Sequence, residues 1–392
     1  MSWKFSTLEN CRALICRAIQ RFMPIKLPCW QIIQFVHESI RAIYTATRLW
    51  INSPSIIAQG YRVPHFRHLS GIESSDVSVY LLPLYFQIEV IVGLEANLSA
   101  FVILSQGKCG LSTCTTHYLV AMSVTDLLVL ITEVILRRIN NYYLPLNILK
   151  LTSVCRLLYV MIRAAIDCSV WFTVAFTFDR FVAISCQKLK LKYCTKKTST
   201  VVLALTSILL CLKNFPIYFR YKPKWIINNV EWRCSNKKNY FRDPRWTGFR
   251  IFEKVLTPLL PFGLILLLNA MTVRHILMAS RVRKGLKAQR KGEKRSDQEM
   301  ESRRNSVVLL FTISGTFILL WLVYLIYIFD FDGSIIDPSG TFEVLAYMLR
   351  NLSCCTNTFI YVATQSKFRD QLKMMLKYPL TSIHKCMNRQ NH

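Results

Sequence analysis

Trp171-Phe172-Thr173-Val174-Ala175-Phe176-Thr177-Phe178-Asp179-Arg180-Phe181 closes a long apolar run that opens near Cys155. Its last turn places an acid beside a base. A charged side chain at the foot of a lipid-length segment is costly unless it reaches water or has a task there. Arg180 is therefore a functional candidate. Its plainer reading is a snorkelling arginine that only anchors its helix.

The chain around it is built from similar runs. Apolar residues make up 52% of the sequence and charged residues 18%, against about 45–50% and 25% in soluble domains. Seven apolar runs predict helices at about 77–105, 118–139, 152–186, 198–218, 247–278, 304–330 and 340–364, near the roughly 20 residues that a bilayer crossing needs. Runs this continuous do not fit the ten-residue alternation of a membrane barrel. The expected fold is an all-α membrane protein, a seven-transmembrane-helix bundle.

The net charge of +28 does not imply nucleic acid, because no zinc spacing or aromatic-interleaved basic patch accompanies it. The positive charge lies between the runs, where it sets topology. Lys188, Lys190, Lys192, Lys196 and Lys197 follow run 3, and Arg281 to Arg304 follow run 5. Lys367, Arg369, Lys373 and Lys377 follow run 7. These three connections share one side, which the positive-inside rule makes cytoplasmic, with the N-terminus outside. The basic 4–5 connection, with Lys222, Lys224, Arg233, Lys237 and Lys238, pulls the other way.

Three regions follow: an extension over 1–76, the seven-helix domain over 77–364 and a tail over 365–392. The extension has no charged start followed by an apolar core, so the first span is expected to act as its own insertion signal. Asn-x-Ser sequons occur at Asn97 and Asn351, both inside spans. Ser296-Asp297-Gln298-Glu299 fits a capping box that would extend span 6 into the cytoplasm. Residues 366–376 are amphipathic and predict a short eighth helix along the membrane face. Repeats and broken helices, the marks of a transporter, are not visible. Neither is a nucleophile set or metal-ligand spacing of an enzyme.

Each run also carries a mark that resembles the rhodopsin-like (class A) G-protein-coupled receptors. These are Gly93 to Asn97 in span 1, Leu119 to Asp126 in span 2, and Cys155, Ser169, Trp171 and Asp179-Arg180-Phe181 in span 3. Pro261 follows in span 5, Phe317 and Trp321 in span 6, and Asn357-Thr358-Phe359-Ile360-Tyr361 in span 7. Over about 118–370 the stretches Ile131 to Tyr143, Asp167 to Val174 and Asn351 to Tyr361 are similar to fish members of the "probable G-protein coupled receptor 139" orphan group.

The resemblance implies a receptor at the plasma membrane, partnered by a heterotrimeric G protein and by a small-molecule or peptide ligand. An amino acid is one candidate ligand. It implies coupling through Asp179, Arg180 and Phe181, and an activation switch of Phe317, Trp321, Asn357 and Tyr361. It also implies a disulfide between Cys155 and Cys234. Asp126 with Ser169 and Asn357 would hold an allosteric sodium ion, or else a protonated aspartate in a hydrogen-bond network that Asn97 joins. No other cofactor is expected.

Ile162 stands where amine receptors carry aspartate. The outer halves hold Glu133, Arg137, Arg163 and Arg350, with Asp167 deeper and Trp321 beneath. Charges of both signs suit a zwitterion or a peptide terminus, with Arg163 and Glu133 in contact. The alternative is pairing among themselves.

Several residues depart from the family pattern. Phe181 replaces tyrosine, Val323 and Thr358 replace prolines, and Asn269 replaces tyrosine. Arg303 stands where relatives place an acid that locks the arginine. Straighter spans 6 and 7 and a high basal activity are expected. A receptor-like protein that no longer signals, and more distantly a transporter, remain as alternatives.

Overall fold

The computed structural model describes residues 77–140, 147–287, 296–329, 341–375 and 377. The extension over 1–76 and most of the tail lie outside these. Seven long helices follow in order: α1 Val77–Ser105, α2 Thr113–Ile139, α3 Thr152–Ser185 and α4 Lys196–Asn214, then α5, α6 Ser296–Phe329 and α7 Thr341–Thr364. α5 runs Pro244–Lys254, widens at Val255–Leu259 and continues as Leu260–Lys287. The capping-box serine, Ser296, coincides with the start of α6. The two helices without the family prolines, α6 and α7, run uninterrupted. Residues 366–375 form an eighth helix, α8.

Six of the seven are long and apolar enough to cross a membrane. The other, α7, is interrupted by Glu343, Arg350, Asn351, Ser353 and Asn357, of which Arg350 and Asn351 are buried in the bundle and Glu343 is exposed. α3 is the hub, touching α2, α4, α5 and α6, while α6 packs closely on α7. α4 is the peripheral helix. Its Leu205, Ile208, Leu209 and Leu212 are exposed, as lipid-facing side chains are.

Between helices lipid supplies no hydrophobic drive, so close packing and polar contacts hold them together. At Gly93 an added Cβ would lie 2.6 Å from Cys355 Sγ and 2.6 Å from Leu130 Cδ1. Glycine there lets α1 meet α7 and α2.

Two features were not read from the sequence. The end of α2, Leu130–Ile139, winds as a π-helix. The 4–5 connection folds into an antiparallel hairpin, β1 Tyr221–Ile227 with β2 Val230–Asn236. Its two-residue turn is Asn228-Asn229, with φ of 51° and 59°. Asparagine tolerates these left-handed angles, which give the tight turn whose twist matches the strands.

Candidate functional site

At the inner end, the last turns of α3 carry Asp179, fully buried, and Arg180, 5% exposed. Arg180 Nε donates to Asp179 Oδ2 at 3.0 Å, and its Nη2 pairs with the same oxygen. Nη2 also approaches Ser112 Oγ at 3.4 Å. Ser112 caps α2, accepting from the amide of Thr115. The thiol of Cys114 donates to the other carboxylate oxygen at 2.9 Å. Asp179 therefore closes on Arg180 from within α3 itself. The side chain of Arg303 lies outside the described residues. Phe181 is half-buried beside the pair.

In mid-bundle, Ser169 Oγ donates to Asp126 Oδ1 at 2.6 Å and Asn357 Nδ2 to Asp126 Oδ2 at 2.8 Å. Asp126 is 1% exposed, with spans 3 and 7 both held on it. Asn97 does not bond this carboxylate. It donates to the backbone oxygens of Gly93 and Cys354 at 2.9 and 2.8 Å, joining α1 to α7 one layer away. A gap lined by Ser169, Thr173, Ile313, Phe317, Ser353, Thr356 and Asn357 reaches Asp126 only through its partners Ser169 and Asn357. Its hydroxyl and amide oxygens, with the carboxylate, are hard donors suited to a small cation.

Phe317 and Trp321 stack at 5.2 Å. Trp321 Nε1 donates to Ser353 Oγ at 3.0 Å, and Ser353 in turn donates to the backbone oxygen of Arg350 at 2.6 Å. Rings continue outward, with Trp321 on Tyr324 and Tyr324 on Tyr347. Tyr361 is buried nearer the inner end. Asn269 donates to Ser314 at 2.8 Å, so the residue in place of the family tyrosine ties α5 to α6.

The outer charges sort into two groups. Arg163 pairs with Glu253 at 3.4 Å, and Asp167 with Lys213 at 2.6 Å and with Asn214 at 2.7 Å. The second group gathers on Glu133, which is 1% exposed. Arg137, Arg138 and Arg350 all reach it. A π-helix bonds residue i to i+5, which brings both Arg137 and Arg138 alongside Glu133; an α-helix would favour the first alone. Arg138, Glu253, Lys213 and Asn214 were not singled out from the sequence. Each pairs with a residue that was, and charge spacing within one helix could have flagged Arg138.

The outer end is tied down by the disulfide between Cys155, in the first turn of α3, and Cys234 of β2, with Cα atoms 6.2 Å apart. Thr152 Oγ1 also donates to the Arg233 carbonyl at 2.9 Å. Lys150, buried just before α3, has its ammonium pushed down to about 8 by burial and then by the Arg233 charge.

Seven helices, one bridge from α3 to the 4–5 hairpin and a buried Asp-Arg at the foot of α3 are the frame against which known families compare. The family described as 7 transmembrane receptor (rhodopsin family) matches residues 96–361. The chain belongs to that family. It is a multi-pass membrane receptor and not an enzyme. Among curated proteins the receptor is similar to the C-C chemokine receptor type 1 of Macaca fascicularis. The two are 24% identical over 313 residues, covering 78% of this chain and 81% of that protein.

Proposed function

We propose that the receptor lies in the plasma membrane with its N-terminus outside, binds a small-molecule or peptide ligand between its outer helix halves, and activates a heterotrimeric G protein. The observation that carries this reading is the buried Asp179–Arg180 pair at the inner end of α3. Among the described residues its side-chain partners come from α3, the start of α2 and Cys194 of the 3–4 connection, so movement of the other helices at that end can uncover it. An agonist that binds the uncovered form more tightly shifts the population toward it. Ligand and G protein are then reciprocally coupled.

The chain Arg350, Ser353, Trp321 and Phe317 supports transmission from the outer charges to the aromatic switch. Asp126, Ser169 and Asn357 supply oxygens that fit a sodium ion favouring the inactive form. The sequence resemblance to fish orphan receptors keeps an amino acid as one candidate ligand. The likeness to a receptor named for chemokines favours a peptide.

The test is G-protein subunit dissociation in cells across the four Gα classes, with and without an amino-acid and peptide library, for wild type and Arg180→Ala at equal surface expression. Signal in wild type that the variant loses is the expected result. Silence from both, with good surface staining, would remove coupling to every ligand in the library and leave an unmatched ligand or no coupling. The latter is the non-signalling homologue, a reading that rests on Phe181, Val323 and Thr358.

A further inference from the structure

One carboxylate at the outer end faces more cations than it can satisfy. Arg137 already takes both oxygens of Glu133, its Nε bonding Oε2 at 2.6 Å and its Nη2 pairing with Oε1. Arg138 and Arg350 then approach the occupied Oε1 at 3.2 and 3.4 Å. No other carboxylate among the described residues lies within ion-pair distance of the three arginines. A further buried acid, Glu89, feels the charge of Arg138 and Arg350, and its oxygens make no hydrogen bond. Even with Glu89 ionised, among the described residues three guanidiniums face two carboxylates.

A surplus buried cation is a standing cost, because each ion must shed water and is repaid only by a well-placed partner. Arg350 is 3% exposed, and its remaining bonds go to the neutral amide oxygen of Asn351. Both surplus guanidiniums sit over one ring, Tyr347, with Arg138 at 4.9 Å and Arg350 at 4.8 Å. Tyr324 and Phe86 flank them at 5.0 and 5.5 Å.

We propose that Arg138 and Arg350 together hold a carboxylate of the ligand, with the half-buried ring of Tyr347 against its apolar body. A guanidinium's planar fork matches a carboxylate through two parallel bonds, and these two already converge on a carboxylate oxygen. The ligand's acid supplies the missing negative charge. The basic outer hairpin, with Lys222, Lys224 and Arg233, raises the local concentration of anions. The paired group around Arg163 and Asp167 is self-neutral and has no such need. This extends the receptor reading in one respect, by taking the outer end as the ligand side. The same carboxylate chemistry can come from a free organic acid or from a peptide C-terminus.

The test is the melting temperature of purified full-length receptor in detergent at fixed ionic strength. It is titrated with sodium benzoate, with benzamide as the neutral isostere and sodium chloride as the salt control. Benzoate near ten times its Kd is expected to raise the melting temperature by about 2–4 °C, and the controls to leave it unmoved. Arg138→Gln should fold at least as well as wild type, because it removes a surplus charge, and should lose the benzoate shift. Arg138→Lys should keep part of it. If Arg138→Gln does not fold, Arg350→Gln carries the same comparison.

Pentapeptide pools with free or amidated C-termini form the second arm. A larger shift from the free-acid pool than from benzoate at equal concentration identifies the peptide source, and the reverse a free acid. Equal action of benzoate and benzamide, no benzoate shift, or an unchanged shift in the variants would overturn the proposal. No G protein is present in this assay. Its failure and the failure of Arg180-dependent signalling are therefore separate results.

Discussion

The two ends of the bundle both bury arginine beside acid, but in different ratios. At the inner end one carboxylate, Asp179, meets one guanidinium, Arg180, with the thiols of Cys114 and Cys194 and the hydroxyl of Ser112 around them. At the outer end one carboxylate, Glu133, meets three guanidiniums. A matched pair is a latch, closed until something pulls it apart. An outnumbered acid is an incomplete site, which another anion can finish. On the proposed reading, the inner end switches and the outer end recognises the ligand.

Removing the outer acid is the most severe way to break this contrast. Glu133→Ala leaves one buried and two half-buried cations without their shared partner, and loss of one member of a buried pair costs about 3–5 kcal/mol. The expected outcome is collapse of surface expression, read by antibody staining of intact cells. Normal expression would show that the arginines reach water and that the surplus is not a real strain.

Next in size is the bridge that frames the outer end. Cys155→Ala with Cys234→Ala should lower stability by about 2–4 kcal/mol, seen as a lower melting temperature in detergent. An unchanged value would mean that the hairpin holds itself against α3 through Thr152 and Arg233.

At the inner end, Asp179→Asn replaces a charged acceptor by a neutral one. A hydrogen bond to a charged group contributes about 1.5–3 kcal/mol, so the latch weakens while the fold persists. Basal G-protein signal should rise by about tenfold or more, since about 1.4 kcal/mol is a factor of ten in population. A fall in signal at normal expression would show that the pair supports the active form.

The smallest effect is a pH dependence. Lys150 has its pKa lowered from 10.5 to about 8 by burial and the neighbouring Arg233. The folded state therefore binds this proton less tightly than the unfolded one. Stability should rise as pH increases from about 8 toward 10.5, while the unfolded chain still holds the proton. Below about 8 both states are protonated and the cost is constant. Lys150→Met should flatten that rise in melting temperature and lift the value at neutral pH.

Much of this was legible before any coordinates. Length and apolarity gave seven helices, because a bilayer permits few alternatives to a helix that satisfies its own backbone. Asp126 and Arg180 stood out because ions in apolar runs are expensive. Ser169 and Asn357 came by resemblance, and the structure has both side chains on Asp126. Asn97, read as part of the same cluster, instead bonds the backbone of α1 and α7.

The mixed outer charges could not be sorted from the sequence, since pairing depends on which helices face each other. The Asn228-Asn229 turn was a local signal, and its flanking apolar residues mark the strands. It was hidden by a loop that reads as merely basic.

The sequence by itself determined the membrane class, the number of helices and the residues that pay to be charged in lipid. Those follow from transfer between water and hydrocarbon, which acts on each segment separately. Only the tertiary structure decided who neutralises whom. The π-helical turn of α2 sets Arg137 and Arg138 on one acid. α7 adds Arg350 from 217 positions away. Ion pairing falls off over a few ångströms, so a balance of charge among helices exists only once they are packed.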